Sequence, residues 1–246
     1  MSKNLIYMVA IDHKSTKLPN SDYAQYSIES WTRWCEKNNI DFIVNQTNDE
    51  RFGRPIWNKE LIYEFGKEYD KIGIVDSDTM VNIDSPNPFD LFGEDEFAGV
   101  NDLCDLNWLF SSIQGYQKFF PNQEMNIFKY LNAGFLFFGK KYLYLFKEVL
   151  DFYFEHKEEL DAWDTGGGRE QTILNFHLQR ENVNIKLLDP CWNLLSIHRK
   201  NMFTHNWQLN IDPTPYFLKY AYIWHFTGFP IEDRTKIMSQ VWELTK

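Results

Sequence analysis

The chain has 246 residues, a length at the upper edge of one α/β domain, with room for a sizeable core. Its 25 Lys and Arg against 35 Asp and Glu leave a formal charge of −10, which repels polyphosphate and speaks against a nucleic-acid partner. Aromatic residues make up 17%, too much flat apolar area for a disordered chain. The three cysteines, Cys35, Cys104 and Cys191, are far apart and lack metal-ligand spacing, so a reducing cytoplasm is expected rather than a disulfide framework. Apolar runs such as Tyr130–Gly139 are too short to span a bilayer, and the N-terminus lacks the layout of a signal peptide. The expectation is a soluble protein, with peripheral membrane contact left open.

Leu5–Ile11 is a short apolar run that suits a buried first strand, ended by Asp12 and His13. Apolar groups at Tyr23, Tyr26, Ile28, Trp31, Trp34 and Cys35 predict a helix to Asn38, and Asp41–Val44 reads as a second strand. Asn58–Glu68 carries Leu61, Ile62 and Phe65 on one helical face, and Lys71–Val75 is a third strand that stops at Asp76-Ser77-Asp78. This β-α-β-α-β order predicts a largely parallel sheet that binds ligands at the carboxyl ends of its strands. Beyond the break at Ser85-Pro86-Asn87-Pro88, strands are expected at Phe97–Val100, Tyr130–Gly139, Val183–Leu188 and Tyr220–Phe226. Helices are expected from Lys141 to about Glu158, from about Arg169 to Glu181 behind the triplet Gly166-Gly167-Gly168, and from Ile231 to the C-terminus. No repeat or linker divides the chain.

In Asp76-Ser77-Asp78, residues two apart on extended chain point to one side, so both carboxylates can converge on a hard cation whose other ligands are water or diphosphate oxygens. The alternative is structural: Asp76 ends a strand and Asp78 caps a turn. An acidic chain that binds a phosphorylated ligand needs a bridging cation, which favours the first reading.

Four segments taken together resemble a family. Tyr69–Val81 is similar to the "YDKVLYLDxDxxV" stretch of GT-A glycosyltransferases, above all the retaining group that includes glycogenin and the lipooligosaccharide galactosyltransferases. Leu131-Asn132-Ala133-Gly134-Phe135-Leu136-Phe137 is similar to "FNAGVLL", Glu170–Asn175 to "DQDxLN", and His225-Phe226-Thr227-Gly228 to "HFxG", in the family's order. The resemblance implies a GT-A, Rossmann-like α/β three-layer sandwich with a mixed, mostly parallel central sheet. One domain over 1–246 is expected, with a nucleotide-binding half (1–85) and a sugar and acceptor half (86–246).

The resemblance assigns Asp76 and Asp78 to the metal and to the ribose or diphosphate of a nucleotide sugar, and His225 to the third metal position. An imidazole beside two carboxylates tilts the preference from Mg2+ towards Mn2+. A histidine between Trp224 and Phe226 could equally be a core residue bonded to a carbonyl. Lys59 stands where the family carries a cation facing the donor, Asp12 where a carboxylate receives the base, and Tyr23 where a ring could stack on it. Asn132, Ala133 and Gly134 would let the backbone approach the sugar while the amide grips its hydroxyls, or would serve packing alone. Glu170 stands where the family has Asp on the donor sugar, and Gln171 beside the anomeric carbon; structurally Glu170 is also a first-turn helix acid. The family's Lys-Pro-Trp after "HFxG" is missing here, leaving Arg234 or Lys236 to hold the leaving diphosphate, or no such contact.

The function expected from these residues is metal-dependent transfer of a sugar from a nucleoside diphosphate sugar, UDP-linked, to a hydroxyl of a glycan, lipid or protein. Retention is favoured; inversion would need a base such as Asp102, Asp105 or Asp164. Trp108, Trp163, Trp192 and Trp207 are candidates for an acceptor platform or for the core. The rivals are an aspartate-nucleophile phosphatase, which also ends a strand in Asp-x-Asp but usually the first strand, and a nucleotide-sugar-binding module that has lost catalysis.

Overall fold

The structure, a computed structural model, describes residues 3–11, 23–163, 168–197 and 214–246. The strands are β1 (Asn4–Val9), β2 (Asp41–Asn45), β3 (Lys71–Asp76), β4 (Thr79–Val81), β5 (Phe97–Asn101), β6 (Leu131–Gly139), β7 (Ile185–Leu187) and β8 (Ile223–His225). The α-helices are α1 (Ala24–Asn38), α2 (Ile62–Phe65), α3 (Leu106–Tyr116), α4 (Leu143–Glu155), α5 (Lys157–Ala162), α6 (Arg169–Arg180), α7 (Tyr216–Tyr220) and α8 (Ile231–Thr245).

Six strands form the main sheet in the order β2-β1-β3-β6-β5-β7. The β1–β2, β1–β3 and β5–β7 pairs are parallel, and β6 runs antiparallel to both its neighbours. Alternation along each strand feeds two cores. Leu5, Tyr7, Ile72, Ile74, Leu136 and Phe138 face a layer that includes α4 and α6. Ile6, Met8, Val75, Phe135 and Phe137 face Trp31 and Trp34 of α1 on the other side. Covered on both faces, β6 is buried at all nine positions, which is why it reads as an unbroken apolar run. The result is a helix–sheet–helix sandwich. Among the described residues no helix is long and apolar enough to cross a membrane.

The region expected as one helix over Asn58–Glu68 is instead a 3-10 segment Pro55–Leu61, the single α-turn α2, and a second 3-10 turn Gly66–Glu68. Proline at the start supplies a fixed φ and no N–H, and the tighter winding turns Trp57, Asn58, Lys59, Glu60 and Leu61 all inward. The expected long helix from Lys141 breaks at His156, whose backbone leaves the helical region (φ −113°, ψ 18°) before α5 restarts. The final strand is shorter than expected and does not join the main sheet. It pairs antiparallel with β4 in a two-stranded sheet of its own, over a third core of Met80, Trp224, Phe226, Met238 and Trp242. That small sheet brings the end of the chain to the carboxyl edge of β3.

Candidate active site

Asp76 is the last residue of β3, and Ser77 and Asp78 form the turn into β4. The two carboxylates therefore converge through a tight turn rather than by alternation along one extended strand. Thr79 fixes that turn: its Oγ1 donates to the Asp76 carbonyl at 2.7 Å and accepts the Trp31 indole N–H at 3.0 Å. The β4–β8 register sets Thr79 opposite His225, and Phe226 N–H donates to the Asp78 carbonyl at 2.9 Å. His225 Nε2 thereby lies 3.1 Å from Asp78 Oδ1 and 3.9 Å from Asp76 Oδ2. The three ligand-type atoms of Asp76, Asp78 and His225 all fall within 4.8 Å of one another. Two carboxylates and an imidazole fit a small divalent ion with its remaining positions open to water or phosphate. Gly134 of β6 forms the wall of this cradle, because a Cβ there would stand 2.4 Å from His225 Cε1 and 2.7 Å from Asp76 Oδ2.

Cations flank the cluster on both sides. Lys59, 5% exposed, places Nζ 2.6 Å from Asp76 Oδ1 and 3.1 Å from Glu170 Oε1. Burial alone would lower the pKa of this ammonium, but the facing charges of Asp76 and Glu170 outweigh it and raise it, so Lys59 is charged. Burial raises the Glu170 carboxyl despite Lys59, with the charge of Asp76 acting in the same direction. On the other side Arg234, in the first turn of α8, lies 3.1 Å from Asp78 Oδ2, and its guanidinium stands over the Tyr23 ring, 5.0 Å from the centroid. Burial alone would push the Asp78 carboxyl up; Arg234, His225 and Lys59 instead hold it well below the usual carboxylate range. Of the two candidates for the missing family lysine, Arg234 reaches the cluster and Lys236 is exposed.

Gly168 opens α6 with φ +72°, where a Cβ would also run into Ser112 and Thr172. The helix it starts buries both Glu170, against Lys59, and Gln171, against the start of β6. Gln171 Oε1 accepts Ala133 N–H at 2.8 Å and Asn132 Nδ2 at 3.2 Å, while Gln171 Nε2 donates to Asp102 Oδ2 at 2.9 Å. Asn132 Nδ2 also donates to Asp102 Oδ2 at 3.0 Å, and Asn132 Oδ1 accepts Gly134 N–H and Asn193 Nδ2, each at 3.0 Å. Asn193 Oδ1 lies 3.0 Å from His225 Nδ1.

Lys59, Asp76, Asp78, Asn132, Ala133, Gly134, Glu170, Gln171 and His225 thus meet in one place. Asp12 lies outside the described residues, as do Asp164 and Trp207. Asp105 is the N-cap of α3, accepting Trp108 N–H, and Trp192 is buried against Tyr222. Three participants have a part in the site that the sequence does not declare. Asn193 is 1% exposed in the short Trp192-Asn193 step, with no motif around it. Asp102 reads from sequence only as a base for inversion, and Glu60 is buried beside Lys59, where its Oε2 has no hydrogen-bond partner.

No protein-family model matches the chain, and no curated protein matches it in sequence. Solved structures do. A glycosyltransferase involved in glycosylation of the major capsid of PBCV-1 is 14% identical, over 97% of this chain and 99% of that one, with a TM-score of 0.62. The bifunctional glycosyltransferase WbbM is 18% identical with a TM-score of 0.61; the match takes in 99% of this chain but only 51% of WbbM. The galactosyltransferase LgtC, solved with donor and acceptor sugar analogues, is 15% identical over 96% of this chain and 95% of its own, with a TM-score of 0.53. Likeness over nearly the whole chain, around a mixed sheet with the Asp76–Asp78–His225 cluster at its edge, identifies the architecture: the chain has the GT-A glycosyltransferase fold and resembles LgtC.

Proposed function

We propose that this protein is a glycosyltransferase that moves a sugar from a nucleoside diphosphate sugar, UDP-linked, to a hydroxyl of a glycan, lipid or protein, with retention at the anomeric carbon. The observation that carries the proposal is the convergence of Asp76, Asp78 and His225 at the carboxyl end of β3, within a GT-A fold. Asp76, Asp78 and His225 would hold Mn2+, or Mg2+ with less preference, because the nitrogen donor suits a transition ion. When bound, such an ion supplies Lewis-acid stabilisation of the charge that gathers on a departing diphosphate.

The residues of the chain supply the rest. Lys59 holds Asp76 in place and neutralises Glu170, and Arg234 offers a second cation on the side of Asp78 away from Lys59. That guanidinium would take the place of the lysine found after "HFxG" in the resembling enzymes. Glu170 would grip donor hydroxyls, Asn132, its amide held by Asp102, Gln171, Gly134 and Asn193, would fix the wall of the sugar site, and Gln171 would stand beside the anomeric carbon, its carbonyl edge turned to the start of β6 by Ala133 N–H. Residues 1–85 would form the nucleotide half, with Asp12 at the base, and residues 86–246 the sugar and acceptor half.

The test is a screen of nucleotide sugars for Mn2+-dependent hydrolysis and transfer, with Asp78→Asn as the control variant. Hydrolysis of one UDP-sugar that needs the metal and is lost in Asp78→Asn supports the proposal. UDP binding without hydrolysis or transfer would instead indicate a binding module, and metal-dependent release of phosphate from simple phosphomonoesters would indicate a phosphatase.

A further inference from the structure

The buried amides around the site have a direction that can be read from two backbone groups. A backbone N–H can only donate, so the Gln171 atom that meets Ala133 N at 2.8 Å is the carbonyl oxygen, and so is the Asn132 atom that meets Gly134 N at 3.0 Å. Their NH2 groups then lie on the far edges, and both reach Asp102 Oδ2, at 2.9 Å and 3.0 Å. The two readings agree, since a carboxylate accepts. Asn132 Oδ1 has a second neighbour, Asn193, at 3.0 Å, which must also donate and is therefore Nδ2. The oxygen of Asn193 is left facing His225 Nδ1 at 3.0 Å, and an amide oxygen only accepts. Nδ1 must carry a hydrogen. Nε2 is the ring nitrogen turned to Asp76 and Asp78, whose oxygens also accept, so that side of the ring is where a cation would stand in place of a proton.

We infer that Asn193 is a positioning residue that holds a hydrogen on His225 Nδ1 and aims Nε2 at the cation site, and that through Asn132 it ties the ring to the amide of Gln171. The inference rests on the reading of Asp76, Asp78 and His225 as metal ligands. Asn193 is 1% exposed and spends both amide ends on these two partners, so it has no freedom to flip without breaking both bonds. A ligating imidazole is normally held by a bond at its other nitrogen, which fixes ring orientation and leaves the lone pair on the metal side. The two ends of Asn193 are also separable: aspartate at this position keeps an acceptor for Nδ1 but loses the donor to Asn132.

The experiment uses the full chain with 15N-labelled histidine rings, the His225 signal being assigned by its loss in His225→Gln. Nitrogen–proton correlation spectra of the protein loaded with Mg2+, a diamagnetic ion that would occupy Nε2, read whether Nδ1 carries a hydrogen, and electron paramagnetic resonance reads Mn2+ affinity with the metal alone. The expected results are Nδ1–H in the wild type, Mn2+ affinity lowered about 10- to 100-fold in Asn193→Ala, and retained Nδ1–H in Asn193→Asp with an affinity nearer the wild type than that of Asn193→Ala. Should Asn193→Ala fail to fold, the wild-type spectrum and Asn193→Asp still decide. A bare Nδ1 in wild-type protein that binds Mn2+ overturns the inference alone, as does a folded Asn193→Ala of wild-type affinity. Wild-type protein that binds no Mn2+, even with UDP present, overturns the proposed function instead and takes the metal-aiming role of Asn193 with it.

Discussion

Gly134 and His225 are packed so closely that a single methyl group cannot stand between them: a Cβ on Gly134 would lie 2.4 Å from His225 Cε1. It would also lie 2.7 Å from Asp76 Oδ2 and 3.0 Å from Asn132 Oδ1, so every direction of relief disturbs the site. Gly134→Ala is therefore expected to keep the fold and lose at least about tenfold in Mn2+ affinity, the scale seen when a metal ligand's support is removed. Gly93→Ala is the control, because a Cβ there meets only Glu96 Oε2 at 3.7 Å. Isothermal titration of both variants checks this, and wild-type affinity in Gly134→Ala would show that Asp76 and His225 do not act together.

Lys59 is a buried cation shared by two carboxylates, at 2.6 Å from Asp76 and 3.1 Å from Glu170. Removing one partner from such a group leaves uncompensated charge, a loss of about 3 kcal/mol or more. Lys59→Met should lower the stability of the metal-free protein by that order in urea unfolding at neutral pH. Adding Glu170→Gln should restore part of it, since one of the two stranded charges is then gone. Equal stability of the single and double variants would mean that Glu170 does not depend on Lys59.

Much of this arrangement is legible in the sequence, and the part that is not has physical causes. The apolar runs of β1, β3 and β6 declare themselves because strands covered on both faces need continuous hydrophobicity. Asp76-Ser77-Asp78 is readable because it follows such a run. β4 escapes notice because three residues carry no periodicity, and α3 because apolar residues surround it, with Leu106 and Phe110 exposed and Leu109 buried. Asn193 and Asp102 could not be assigned from sequence because their roles exist only as contacts: each binds residues between 30 and 69 positions away. Lys59 falls within the expected helix, but the 3-10 winding that turns Glu60 inward beside it has no clear sequence signature.

Glu60 gives the chain a pH dependence of known sign. Burial, and next the charge of Glu170, raise its carboxyl well above the ordinary value against the opposing pull of Lys59. A group with a raised folded-state pKa holds its proton longer in the folded chain. Its contribution is whole below the unfolded pKa, about 4.3, and is lost as pH rises towards the folded value, at up to about 1.4 kcal/mol per pH unit. Glu60→Gln removes the ionisation and keeps the shape. The variant should match the wild type near pH 4 and exceed it increasingly towards pH 7, as read by thermal unfolding across that range. A stability difference that does not change with pH would mean that Glu60 ionises in the folded protein as it does in the unfolded one.

Asp102 accepts two amide donors on a single oxygen, Gln171 Nε2 at 2.9 Å and Asn132 Nδ2 at 3.0 Å. Its charge makes those bonds roughly twice as strong as neutral ones, which is how it would hold the sugar-side amides still. Asparagine at this position can turn its oxygen to the same donors but without the charge. Asp102→Asn should therefore lower kcat for donor hydrolysis and transfer by about tenfold, the equivalent of one weakened hydrogen bond of about 1.4 kcal/mol. Mn2+ affinity should be unchanged, because the directions of Asn132 and Asn193 are still set by Gly134 N–H. A general base predicts a different pattern. If Asp102 took the acceptor proton in an inverting reaction, the variant would lose about 100-fold or more in transfer, and the acid limb of its kcat/KM profile would disappear. A residue that only holds Gln171 lowers the whole profile and leaves its shape alone, so the pH profile of Asp102→Asn separates the two roles, and the anomer of the product must agree with the answer.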